Sequence, residues 1–179
     1  GSVALFRPRK GMEVLIQALA NLCKMGKTVR LRAVGPFETI EYEKAIKKMS
    51  EDLGVSNVID WIGFAKDVNA EFDKMSVLVL PSLFGEGMPM VILESMAMGV
   101  PVVASDIEGI PEILEHGRTG LITTPGDAEQ LTNVLVELIN GKYKWSTIRE
   151  EAYRLQVTSF SDHSMAQGVA HVYDTILNK

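Results

Sequence analysis

Of the 179 residues only one, Cys23, is cysteine, so no intrachain disulfide can hold this fold and the disulfide-framework scaffolds of secreted proteins are excluded. Positive charge is also short. Eighteen Lys and Arg stand against 23 Asp and Glu, a net charge of −5, which leaves no dense basic surface for a nucleic-acid partner. An anionic ligand would have to be held locally. No apolar run approaches the roughly 20 residues that span a bilayer, and no charged-then-apolar signal segment opens the chain. With cysteine used as a small core residue beside Leu19 and Leu22, the expected compartment is the cytoplasm.

What is present suits one globular domain: 46% hydrophobic and 23% charged residues are ordinary for a soluble core. The chain starts Gly1-Ser2 without methionine, which reads as a tag remnant joined to an internal cut point. A fragment is therefore expected, with residues 1–179 forming a single domain.

Short apolar runs predict buried strands at Val3 to Phe6, Val29 to Val34, Val58 to Ile62, Val77 to Leu80, Val102 to Ala104 and Gly120 to Thr123. Between them, helical spacing runs over Met12 to Met25, Glu41 to Leu53, Met90 to Met98 and Ala128 to Ile139. This alternation predicts a Rossmann-like, doubly wound α/β fold around a parallel sheet. After Gly141 the pattern loosens. Phe160-Ser161-Asp162 can then cap a last helix whose Met165, Val169, Val172, Tyr173 and Ile176 form an apolar stripe in need of a partner surface.

Ligands of such sheets bind beyond the carboxyl ends of the strands. The segment after Val77 to Leu80 reads Pro81-Ser82-Leu83-Phe84-Gly85-Glu86-Gly87-Met88-Pro89 and runs straight into a helix, whose free amides and dipole make an anion site. Glu94 lies in that helix among Met90, Val91, Ile92, Leu93, Met96, Ala97 and Met98. A carboxylate there calls for a pairing group, either a ligand or a neighbouring loop or basic side chain. Glu86 precedes it by eight residues, about 12 Å along a helix at ~1.5 Å per residue, the scale of a nucleoside diphosphate. By itself Glu86 reads equally well as a solvated loop carboxylate. Arg7-Pro8-Arg9-Lys10-Gly11, at the end of the first strand, can neutralise a diphosphate.

Other motifs fail. Gly26-Lys27-Thr28 lacks the earlier P-loop glycine, since position 21 is Asn, and Gly85-Glu86-Gly87 lacks the third glycine of a dinucleotide fingerprint, since position 90 is Met. His116, His163 and His171 have no zinc-ligand spacing, and Asp106-Ile107-Glu108 reads as a turn. No metal or other cofactor is expected.

The run from Val77 to Pro101, with Pro-Ser, Glu86, seven intervening residues, Glu94 and then Gly-Val-Pro, resembles the group 1 glycosyl transferases, glycosyltransferase family four. Arg-Lys-Gly at 9 to 11, Val34-Gly35, Gly63-Phe64, Gly109-Ile-Pro-Glu112 and Gly117-Arg-Thr-Gly120-Leu are further landmarks in order. The resemblance implies the carboxy-terminal half of a two-domain GT-B enzyme, with the acceptor-binding half lying outside this chain. It implies a retaining, metal-independent hexosyltransferase that draws on a nucleoside-diphosphate sugar and an acceptor glycan, lipid or small molecule, located in the cytoplasm or peripherally at the inner membrane face.

By the same resemblance, Glu86 contacts the donor sugar, the amides around Gly87, Met88 and Pro89 hold sugar and phosphate oxygens, and Glu94 binds the ribose hydroxyls. Lys10 steadies the diphosphate and the backbone near Phe64 borders the base. Ala4-Leu5 stands where the family has Gly-Arg, so Arg7 or Arg9 takes that role; Arg7, Lys10 and Glu86 form the expected catalytic group. Met88-Pro89 replaces a common Phe-Gly pair. The half alone is expected to bind without turning over. A non-catalytic regulatory module of the same fold, or part of a two-domain nucleotide-sugar epimerase, is the competing reading.

Overall fold

The computed structural model describes residues 1–177. Among these residues there are six parallel strands: β1 (Ser2–Val3), β2 (Leu31–Val34), β3 (Ile59–Gly63), β4 (Leu78–Leu80), β5 (Val102–Ser105) and β6 (Leu121–Thr123). They form two three-stranded sheets, β1-β2-β3 and β4-β5-β6. The sheets meet edge to edge where Val79 N–H donates to the Gly1 carbonyl at 2.8 Å. The combined order is 3-2-1-4-5-6, reversing between β1 and β4, as in a doubly wound nucleotide-binding sheet.

Between the strands lie α1 (Met12–Lys24), α2 (Ile40–Asp52), α3 (Asn69–Phe72), α4 (Met90–Ala97) and α5 (Ile110–Ile113); α6 (Ala128–Ile139), α7 (Trp145–Leu155) and α8 (Asp162–Leu177) follow β6. Thr39 caps α2 by accepting from Tyr42 N–H at 3.1 Å, and Asp127 caps α6 by accepting from Gln130 N–H at 2.8 Å, each satisfying one orphan donor of a first turn.

Strand alternation divides the core. Leu31, Ala33, Ile59, Val79, Val103 and Leu121 face a cluster with Leu15, Ile16 and Leu19 of α1 and Leu131 and Leu135 of α6. The intervening Leu78, Leu80, Val102 and Ala104 face the opposite side, against Ile92 and Met96 of α4 and Ala152 of α7. Consecutive strand residues thus feed two cores, which is why the strands read as unbroken apolar runs. Cys23 is half-buried against the first cluster.

The first strand is shorter than the sequence predicts. β2 has a register irregularity at Ala33/Val34 and is followed by Gly35, whose φ is 124°. A Cβ there would lie 1.9 Å from the Ala4 carbonyl, so the backbones pass too closely for a regular ladder. Pairing resumes as a single bridge between Phe6 and Phe37. The loose region after Gly141 is α7, continued through a π-type stretch, Gln156–Phe160. Only Ile148 and Ala152 of α7 are buried, which is too little apolar signal to mark a helix.

Ser161 does cap α8, accepting from Ser164 N–H at 3.1 Å. No residue of α8 is buried, and Met165, Val169, Val172, Tyr173 and Ile176 are all exposed. Among the described residues nothing covers the stripe, and no helix is long and apolar enough to cross a membrane.

Candidate functional site

The order reversal between β1 and β4 opens the crevice in which such sheets take ligands. The loops leaving these two strands interlock there. Leu83 N–H donates to the Arg9 carbonyl at 2.8 Å. Gly11, with φ 65°, passes so close that a Cβ would sit 2.0 Å from the Pro81 carbonyl oxygen. The basic turn is thereby fixed beside the Pro81-to-Pro89 segment, as its position in the sequence implies.

Glu86 is not a solvated loop carboxylate: it is only 5% exposed. Its Oε1 accepts from Lys10 Nζ and from the Ser82 hydroxyl at 2.7 Å, with Arg9 Nη1 at 3.5 Å. A buried carboxylate needs such compensation, and two cations with a hydroxyl supply it. Glu86 Oε2 accepts no hydrogen bond from the described residues. One oxygen is locked to the scaffold, and the other has no partner among those residues.

Arg9 and Arg7 diverge. Arg9 Nη1 donates to the carbonyls of Gly85 at 2.7 Å and Phe84 at 3.3 Å, which places its guanidinium on the Glu86 loop. Arg7 turns to Glu38 at 3.3 Å, and its buried Nε has no partner. Of the expected catalytic group, Lys10 and Glu86 are therefore in contact and Arg7 is not with them; Arg9 is the arginine beside Glu86.

α4 begins at Met90 after Pro89, with no side-chain cap. Among the described residues the amides of Gly87 and Met88 find no acceptor, leaving N–H groups free at the positive end of the helix dipole. Glu94 corrects the expected burial. It is exposed, because Ile92, Leu93, Ser95 and Met96 are the residues of α4 that turn to the core. It has no ion-pair or hydrogen-bond partner among the described residues, so neither a neighbouring loop nor a basic side chain claims it. Pro89 is buried, whereas Met88 is 50% exposed. Phe64, just past the end of β3, is 77% exposed.

A third loop joins the site; its Asp106-Ile107-Glu108 reads from sequence as a turn, and Gly109 opens one of the landmarks of the resemblance. Gly85 N–H donates to Glu108 Oε1 at 2.9 Å, and Gly109 N–H donates to the Glu86 carbonyl at 3.3 Å. A Cβ on Gly109 would lie 1.8 Å from the Gly87 carbonyl oxygen. Ser82, Glu108 and Gly109 are thus site residues that spacing alone did not reveal. For Ser82 the signals were its place at a strand's carboxyl end and the Pro-Ser pair of the resemblance, neither of which gave its contact with Glu86. Among the described residues no three or more His, Cys, Asp or Glu side chains gather as a metal-ligand set.

Residues 1–141 match the family described as glycosyl transferases group 1. The amylovoran biosynthesis glycosyltransferase AmsK of Erwinia amylovora is 28% identical over 98% of this chain and 44% of its own. A phosphatidyl-myo-inositol mannosyltransferase of Mycobacterium leprae is 28% identical over 89% of this chain and 46% of its own. Among solved structures, Anabaena Alr3699/HepE in complex with UDP superposes with a TM-score of 0.91 at 29% identity, covering 98% of this chain and 48% of that one. The same protein in complex with UDP-glucose gives 0.89. The chain spans less than half the length of each of these relatives.

Proposed function

We propose, from the premise that this chain belongs to the group 1 glycosyl transferases and has the Rossmann-like architecture of a GT-B half, that residues 1–179 are one donor-binding domain. Its ligand is a nucleoside-diphosphate sugar, and the acceptor-binding half lies elsewhere in the full enzyme. The carrying observation is the pairing of free Gly87 and Met88 amides with a Glu86 whose Oε1 is locked and whose Oε2 has no partner among the described residues. The amides take phosphate and sugar oxygens, Oε2 takes a sugar hydroxyl, and the unpartnered Glu94 takes the ribose diol. Phe64 stands at the base end. The complexes of the Anabaena protein with UDP and UDP-glucose support a ligand of this class.

The reaction we propose is hexosyl transfer with retention and without metal. The bond between the anomeric carbon and the diphosphate oxygen breaks, its electron pair leaving with the diphosphate. The acceptor oxygen bonds the anomeric carbon on the same face, and its proton passes to the departing phosphate oxygen. Charge grows on the diphosphate, so donors beside it lower the barrier: the Gly87 and Met88 amides, the α4 dipole, and the charges of Lys10 and Arg9. Holding Glu86 by Lys10 orients both groups before the donor arrives. We place this chemistry on the cytoplasmic side, where the full enzyme acts on a glycan, lipid or small-molecule acceptor.

Saturation-transfer NMR of the chain with UDP-glucose, GDP-mannose and ADP-glucose, in the presence of EDTA, tests donor binding. Contact to both ribose and hexose protons of one donor is expected, and contact to none would refute the reading. The anomeric configuration of the product made by the full-length enzyme tests retention.

A further inference from the structure

Glu108 is the only non-glycine described residue with a positive φ, 44°, a backbone conformation that side-chain-bearing residues seldom hold without a reason. Its carboxylate is exposed, so burial does not supply that reason. What it touches does: Oε1 accepts from Gly85 N–H at 2.9 Å. The next residue, Gly109, donates to the Glu86 carbonyl at 3.3 Å and fits only because it lacks a side chain. From the other side Arg9 grips the carbonyls of Phe84 and Gly85. The peptide groups of residues 84 to 86 are thus held by two loops that leave different strands, and among the described residues Glu108 supplies the only anchor on the Gly85 amide.

We propose that Glu108 is a positioning residue for the donor site, fixing the Phe84-to-Gly87 loop so that Glu86 Oε2 and the Gly87 amide meet the sugar portion of the donor. The inference rests on the donor-site reading above and extends it to a residue that touches no ligand. Its left-handed backbone lets the side chain turn back onto Gly85, and its charge strengthens a hydrogen bond that a neutral acceptor would make more weakly.

Two substitutions separate position from structure. Glu108→Gly removes the acceptor while relieving the backbone, since glycine tolerates φ 44°; Glu108→Gln keeps an acceptor oxygen. Glu108→Gly should fold at least as stably as the parent, yet bind the nucleotide sugar about three- to tenfold more weakly, as loss of one exposed charge-assisted hydrogen bond implies. Its affinity for the nucleoside diphosphate alone should change less, and Glu108→Gln should recover most of the difference. Equal losses for both ligands, no loss for either, or a Glu108→Gln variant as weak as Glu108→Gly would overturn the proposal. Amide hydrogen exchange over residues 84 to 88 without ligand gives an independent arm: about threefold or faster exchange in Glu108→Gly, restored in Glu108→Gln, is expected, and unchanged exchange refutes the clamp. If the parent binds no nucleotide, the donor reading fails while the exchange arm still decides whether Glu108 holds the loop.

Discussion

Replacing Gly109 by alanine should damage the site although no ligand group would touch the added methyl. The backbone at Gly109 has φ −77° and ψ −4°, open to any residue, so alanine would gain about 0.4–1 kcal/mol by restricting the unfolded chain. Against this, the new Cβ would stand 1.8 Å from the Gly87 carbonyl oxygen and 2.9 Å from its carbon. Both atoms are backbone, so no rotamer change relieves the clash, and the 84–87 loop has to retreat by about 1 Å or more. Strain of this kind costs about 1–3 kcal/mol, leaving a net loss of about 0–2.6 kcal/mol. Near the middle of that range, at about 1 kcal/mol, Tm falls by about 2–4 °C for a chain of this size. Displacement on this scale at a binding loop should also weaken a nucleotide sugar by about tenfold or more. The control is Gly87→Ala: a Cβ there meets nothing within 4 Å, so its melting temperature should match the parent's. Thermal unfolding and titration of both variants check this. A Gly109→Ala protein that melts and binds like the parent would refute the close approach of the two loops.

Lys10→Met should destabilise by about 1–3 kcal/mol, because the buried Glu86 keeps only Ser82 and the more distant Arg9 and breaking a buried pair leaves charge uncompensated; denaturant melts at pH 7 check it. Arg7→Ala should leave donor affinity within about twofold, since Arg7 faces Glu38, whereas Arg9→Ala should weaken it by about fivefold or more through loss of the grip on residues 84 and 85. Away from the site, Arg32 and then Lys74 hold the Glu71 carboxyl below its ordinary value by hydrogen bonds. A lowered folded pKa means the stabilisation is full above the unfolded carboxyl's pKa and is lost as pH falls through the folded one. Glu71→Gln should thus cost about 1–2 kcal/mol at pH 7 and progressively less below about pH 4, measured by urea melts across pH.

Much of the fold was legible because each strand buries both faces: Val77 to Leu80 reads as an unbroken apolar run since Leu78 and Leu80 enter one core and Val79 the other. Gly99, with φ 66°, closes α4 ahead of β5 as a left-handed helix end requires. α7 was not legible, because two buried residues in eleven set no period. In the site, spacing gave Glu86, Glu94 and the amides between, but not their surroundings. Apolar neighbours made Glu94 look buried, whereas the register of an eight-residue helix turns it outward; Glu86 read equally well as solvated or bound because its partners Lys10 and Arg9 lie more than 70 residues away. The contacts of Glu108 and Gly109 stayed hidden for the same reason, since contacts between loops on different strands leave no trace in local sequence.

The most direct test of the central claim is calorimetric titration of the chain with UDP, GDP, ADP and NAD, without added metal, repeated on Glu94→Ala. One nucleoside diphosphate should bind, and Glu94→Ala should weaken it by about 1–3 kcal/mol while melting with the parent, because the exposed and unpartnered Glu94 contributes nothing to the fold. Binding of NAD in place of a diphosphate, or a Glu94→Ala protein that binds the diphosphate as tightly as the parent, would contradict the account.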